Sequence, residues 1–481
     1  MRGVESDGPM GPGGQTIDPE PSSAKQRRAG ATMPAKGDRS VTASARRPAR
    51  CVVAPRRRRR IAGVLAGCLA LAGCASGSYD SVALMPPPLL HQTGGFDPYG
   101  GLTPESFAEQ SALLYVTDRK PGEGDDRPYA DARGHLLRAG VATVRATPPF
   151  RDWEDVRSVT IEGRRAQDYV LSVGQVEEIG VLPVGLTSFN VEAPADAALE
   201  EAAAEFAARI DRQLALSGSQ DAVIFVHGYN VGFEYPLLVS KELQHYLGYR
   251  GAFITFAWPA TPSRLAYFQD LETTDATVRT LRMFAQFRTE RTRARRIHLI
   301  GYSAGSRIAF GAAYRVALEA AAAPAGDSPA RLGDLILLGS DIDPVYFLQG
   351  VAHGLLDATD RVAVYMSETD SALGLSNFVF AQRRLGETLG PEDLSDALEA
   401  RLAPLDRLEF IDVSGADGAE AGNGHWYFRS SPWVSSDLLF GLLSDLRPAD
   451  RGLTRAPGKA VWRFPEDYAD RLRQAVRGDG A

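Results

Sequence analysis

From residue 221 onward, short runs of β-branched and aliphatic residues alternate with longer segments of helical period. The runs at 222–226, 297–300, 335–338, 362–366 and 408–413 are mostly apolar, as strands buried on both faces are. Segments 233–247 and 306–314 carry the apolar stripe of a helix packed on a core. Strand–helix alternation of this kind predicts an α/β domain with a mostly parallel sheet flanked by helices. Upstream, from about 113 to 186, shorter runs such as Gly140-Val141-Ala142-Thr143-Val144-Arg145 predict antiparallel strands that extend or cap that sheet. Residues 194–216 form an Ala- and Glu-rich amphipathic stretch and predict one further helix.

One polar motif interrupts this pattern where a sheet exposes its chemistry. Gly301-Tyr302-Ser303-Ala304-Gly305 follows the strand at 297–300 and opens a helix, and it is the only G-x-S-x-G in the chain. A strand, a sharp turn carrying Ser, then a helix is the nucleophile elbow of the α/β-hydrolase fold. Glycines flank Ser303 because a Cβ would crowd the turn, and the helix N-terminus offers N–H groups where an oxyanion develops. The run 222–226 ends in His227-Gly228-Tyr229-Asn230, which suits the upstream oxyanion loop. The N–H groups of Tyr229 and Ala304 would then form the hole, and His227 reads as a structural histidine.

Chain order in this fold is Ser, then an acid, then His. Only His353 and His425 follow Ser303. His353 lies in an apolar helical stretch, whereas His425 lies in the loop Gly422-Asn423-Gly424-His425-Trp426-Tyr427 and is the expected base. The acid comes from the loop after one of the next two strands. Asp370 follows the second and is preferred over Asp343, which follows the first. Asp341 and Asp343 also read as helix caps before Pro344, and Glu368 is a weaker candidate beside Asp370. No cofactor is called for, and the histidines show no paired metal-ligand spacing.

The chain resembles a family of functionally uncharacterised bacterial α/β hydrolases. Carrying the resemblance are Leu114-Tyr115-Val116-Thr117-Asp118-Arg119-Lys120, Phe225-Val226-His227-Gly228-Tyr229-Asn230, Thr255-Phe256-Ala257-Trp258-Pro259, the elbow, Ser340-Asp341-Ile342-Asp343, residues 365–373 and Gly424-His425-Trp426-Tyr427. It spans roughly residues 110–446 and implies an esterase- or lipase-like serine hydrolase without naming a substrate. Members often carry His-Ser-Met-Gly at the elbow, so Tyr302 and Ala304 imply a different pocket size and pH response.

The N-terminal part bears on location. Arg56-Arg57-Arg58-Arg59-Arg60 precedes an apolar run at 61–71, the pattern of a secretory signal and too short to span a bilayer. Leu71-Ala72-Gly73-Cys74 looks like a bacterial lipobox, which would make Cys74 the acylated N-terminus of the mature chain. Leu65-Ala66-Gly67-Cys68 also matches, but with a shorter apolar run, and an ordinary signal peptide is the plain alternative. Ala75, by likeness to known lipoproteins, points to the outer membrane facing the periplasm. The expected organisation is a disordered or mis-started extension at 1–54, a signal at 55–73, a tether at 74–108, a β-rich extension and helix at 109–217, the catalytic core at 218–446 and a tail at 447–481.

Charge and cysteine usage narrow the partners. The net charge is −7, and removing residues 1–73, with 14 Lys and Arg against 5 Asp and Glu, would take it to −16. That balance argues against nucleic acid and anionic lipid. The three cysteines, Cys51, Cys68 and Cys74, leave no disulfide in a mature chain. The expectation is an envelope-anchored serine hydrolase acting on a small-molecule or lipid ester. An acyltransferase with the same triad, or an inactive scaffold on a hydrolase fold, are the alternatives.

Overall fold

The computed structural model describes residues 80–123, 127–161, 165, 167–263, 266–323, 331–373, 376, 382–387 and 395–478. The expected extension, signal peptide and Cys74 lie outside the described residues. Among the described residues, one sheet of 11 strands organises the chain. Its parallel part, in sheet order, is β6 (Ala252–Phe256), β5 (Asp221–Val226), β7 (Arg296–Tyr302), β8 (Leu332–Leu338), β9 (Thr359–Met366), β10 (Leu408–Asp412) and β11 (Val461–Arg463). Helices cover both faces, so nearly every residue of these strands is buried, which is why they read as apolar runs rather than alternation.

On the other flank, β2 (Leu113–Pro121) pairs parallel with β6. Beyond it β3 (Tyr129–Thr147), β4 (Val170–Val181) and β1 (Ser81–Ala83) continue the sheet antiparallel. This is the β-rich extension expected from the alternating runs. Helix Asp196–Ser217 packs on it, ending at Gly218 in the left-handed region. The structure is thus a mostly parallel sheet flanked by helices, the α/β-hydrolase fold, with an antiparallel N-terminal wing.

Two segments depart from expectation. From Asp80 onward, the expected tether is packed into the body: Met85, Leu90 and Tyr99 are buried and the Leu90 N–H donates to Ser436 Oγ at 2.8 Å. The expected tail supplies β11 and the helix Tyr468–Gly478. Its Arg451 is fully buried, bonded to Asp437 at 2.7 Å and Glu409 at 3.0 Å. The first segment is irregular and Pro/Gly-spaced, so its burial leaves no periodic trace; in the tail, Tyr468, Leu472 and Val476 recur at helical spacing and are buried, a stripe passed over in the sequence.

Candidate active site

The Ser303 backbone carries the site's clearest local signature. Its φ is +53°, a left-handed conformation that a non-glycine residue adopts only when its surroundings impose it. Its N–H donates to Leu338 O at 2.9 Å, tying the turn to the end of β8, and the helix Gly305–Ala322 starts two residues later. At Gly305 a Cβ would lie 2.2 Å from His227 O, so only glycine lets the elbow sit against the loop after β5.

His425 and Asp370 arrive from the loops after β10 and β9. His425 Nδ1–H donates to Asp370 Oδ2 at 2.6 Å, and both side chains are buried. Asp370 Oδ1 accepts the N–H groups of Ala372 and Leu373, each at 3.2 Å, which fixes the carboxylate. The two loops are stitched together: Ser371 N–H donates to Asn423 O at 3.0 Å and His425 N–H to Asn423 Oδ1 at 3.2 Å. Gly424, at φ +69°, has no room for a Cβ, which would meet Thr369 O at 2.2 Å. With Nδ1 holding the proton toward Asp370, Nε2 is left as the imidazole's acceptor. The Tyr302 ring stands 4.9 Å from the His425 ring and ties His425 to the elbow.

The loop after β5 borders the serine. A Cβ on Gly228 would come within 3.0 Å of Ser303 Cβ. His227 Nδ1–H donates to Gly228 O at 2.7 Å, and its ring stacks on Trp258 at 5.3 Å. Since C=O and N–H of a trans peptide point apart, this bond fixes the direction of the Tyr229 N–H. Burial, first, and the nearby Arg119 cation hold the His227 imidazole down to about 3, so it stays neutral. Ala304 is the N-cap of the elbow helix, where N–H groups have no intrahelical partner.

The other candidates fall elsewhere. Asp343 caps the helix Pro344–Ala352 by accepting Tyr346 N–H at 3.0 Å. Asp341 is not a cap: it accepts from Tyr267 OH at 2.6 Å and from Arg307 Nε at 3.1 Å. Glu368 is exposed, and His353 is bonded to Tyr314 OH at 2.6 Å. Sequence reasoning gave no role to Trp258, Tyr427 or Arg307. Tyr427 OH donates to Tyr365 O at 2.9 Å and accepts the Gly339 N–H, joining β8 and β9 under His425. Trp258 and Tyr427 stand within the quoted motifs and Arg307 just after the elbow, but their roles need the fold. Among the described residues no group of three or more His, Cys, Asp or Glu side chains could hold a metal ion.

Among solved structures, a lipase-esterase related protein from Clostridium acetobutylicum ATCC 824 is similar over 55% of this chain and 93% of that one, at 14% identity and a TM-score of 0.20. No curated protein sequence matches. The family described as α/β hydrolase of unknown function (DUF900) matches residues 202–441, which span β5 to β10 together with Ser303, Asp370 and His425. The chain belongs to this family of α/β hydrolases.

Proposed function

We propose that the protein is a serine hydrolase that cleaves an ester through Ser303, His425 and Asp370. The observation that carries this reading is the pairing of a left-handed Ser303 at the end of β7 with the His425–Asp370 hydrogen bond of 2.6 Å on neighbouring loops. His425 Nε2 takes the Ser303 hydroxyl proton as Oγ attacks the ester carbonyl. The Tyr229 and Ala304 N–H groups receive the oxyanion. The tetrahedral intermediate collapses, the alcohol leaves with the proton from His425, and Ser303 is acylated. Water, deprotonated by His425, then attacks the acyl-enzyme, releasing the acid and restoring the serine. Asp370 holds the imidazole tautomer and stabilises the imidazolium. In the same reading the chain is exported and held at the bacterial envelope by acylated Cys74.

Turnover of p-nitrophenyl esters of graded chain length tests the chemistry. Ser303→Ala should lose activity by several orders of magnitude, roughly 10⁶ as when a serine protease loses its nucleophile, at an unchanged melting temperature. Activity above about 1% of the parent would rule out Ser303 as the nucleophile.

A further inference from the structure

Seven large apolar side chains are exposed among the described residues, and five of them stand at one edge of the sheet. Phe268 follows β6, and Val345 and Tyr346 follow β8. Phe189 and Val191, each 89% exposed, lie in the loop between β4 and the helix Asp196–Ser217. β4 is antiparallel to β3 and β3 to β2, while β2 is parallel to β6, so β4 runs in the direction of β7. The loop after β4 therefore leaves the sheet at the edge that carries Ser303.

The exposure of Phe189 and Val191 is built into the loop. Asn190 lies between them, and its Oδ1 accepts from Thr187 N–H at 2.7 Å and Thr187 Oγ1 at 2.9 Å. Its Nδ2 donates to His135 O on β3 at 2.9 Å. Beside the loop is a cleft of about 240 Å³ lined by Asp118, Arg133, His135, Val184, Gly185 and Arg279, among others. Arg133 and Arg279 are exposed at this cleft, and Arg279 donates to Gly185 O at 3.2 Å. Asp118 is only 5% exposed. Its Oδ2 accepts from Thr277 Oγ1 at 3.0 Å, and its Oδ1 has no hydrogen-bond partner among the described residues.

We propose that this loop and cleft dock the protein on a zwitterionic lipid surface. Phe189 and Val191 enter the acyl boundary, Arg133 and Arg279 receive headgroup phosphates, and Asp118 faces a headgroup ammonium. The apolar side chains stand on one loop and on the first turns of two helices, Tyr267–Arg291 and Pro344–Ala352, rather than along one groove, which suits a fluid interface better than a folded partner. The net charge of −7 disfavours an anionic bilayer, and a cleft with both signs of charge matches a phosphoethanolamine group. The inference rests on the hydrolase reading for its consequence: docking turns the Ser303 edge toward a membrane-resident ester.

The test uses the mature chain from residue 74 carrying Cys74→Ser, so that neither the signal segment nor an acyl group adds membrane affinity. It is sedimented with vesicles of phosphatidylcholine and phosphatidylethanolamine. The parent should pellet with the vesicles, and Phe189→Ser with Val191→Ser should weaken partitioning about tenfold or more. Arg133→Gln with Arg279→Gln should weaken it as well. A Phe189→Trp variant should show an emission shift to the blue on vesicles and quenching by brominated lipid. Ser303→Ala should bind as the parent does, and the Phe189/Val191 variant should still hydrolyse a short soluble ester, so loss of docking and loss of chemistry are read separately. Binding that the Phe189/Val191 pair does not change overturns the proposal, as does stronger binding to phosphatidylglycerol vesicles or equal binding of free phosphoethanolamine.

Discussion

Ser303 holds its backbone at φ +53° although a left-handed non-glycine residue costs on the order of 1–3 kcal/mol. Glycine at 305, the Leu338 carbonyl and the buried Tyr302 ring together impose the turn. The serine and its glycines were legible in the sequence because the elbow is a local strand–turn–helix device. The acid was less so, since Asp343 and Asp370 each follow a strand and only the fold puts Asp370 against His425. Asp370→Asn should lower turnover by roughly 10⁴, because the imidazole loses the acceptor that sets its tautomer. Asp343→Ala should keep full activity and cost about 1 kcal/mol of stability through its lost cap. Kinetics and thermal melts of the two variants decide this, and the reverse pattern would move the acid to Asp343.

At the scale of elements, the five apolar runs and the helices expected at 194–216, 233–247 and from 306 followed from periodicity, as with the helix expected at 233–247 and found at Glu234–Tyr246, whereas the helix Tyr267–Arg291 was not foreseen. The segment Leu89–Thr93 did not, because a short 3₁₀ turn buries side chains without any repeat. Its His91 is buried against Phe96 and Tyr246, at ring distances of 5.8 and 5.6 Å. Burial pushes its imidazole down to about 4 from an ordinary 6.5. The unfolded chain thus takes up a proton that the folded chain refuses. The stability linked to His91 is present above pH 6.5 and lost as pH falls from there toward 4. His91→Phe should therefore flatten the acid limb, by roughly 3 kcal/mol between those limits. Melting temperatures from pH 7 to 4 check this, and identical acid limbs in parent and variant would contradict it.

For the whole molecule, one sheet carries both flanks of the described chain, from β1 at one edge to β11 at the other. The family assignment covers β5 to β10, while the N-terminal wing and β11 lie outside it. The proposed export and anchoring rest on the chain ahead of that sheet. If Cys74 is acylated, Cys74→Ser should move the protein from the membrane fraction to the soluble periplasm, since buried acyl CH₂ groups contribute ~0.8 kcal/mol each. Mass spectrometry of the parent's N-terminal peptide is the direct check, and an unmodified peptide running through Cys74 would remove the anchor while leaving the chemistry untouched. The chemistry itself is tested most directly by a fluorophosphonate probe, which reacts only with a serine that its base has activated. Intact-mass and peptide mapping of the labelled protein should find one adduct, on Ser303, absent from Ser303→Ala and strongly slowed in Asp370→Asn. No adduct on the folded parent, or an adduct on a different residue, would contradict the account.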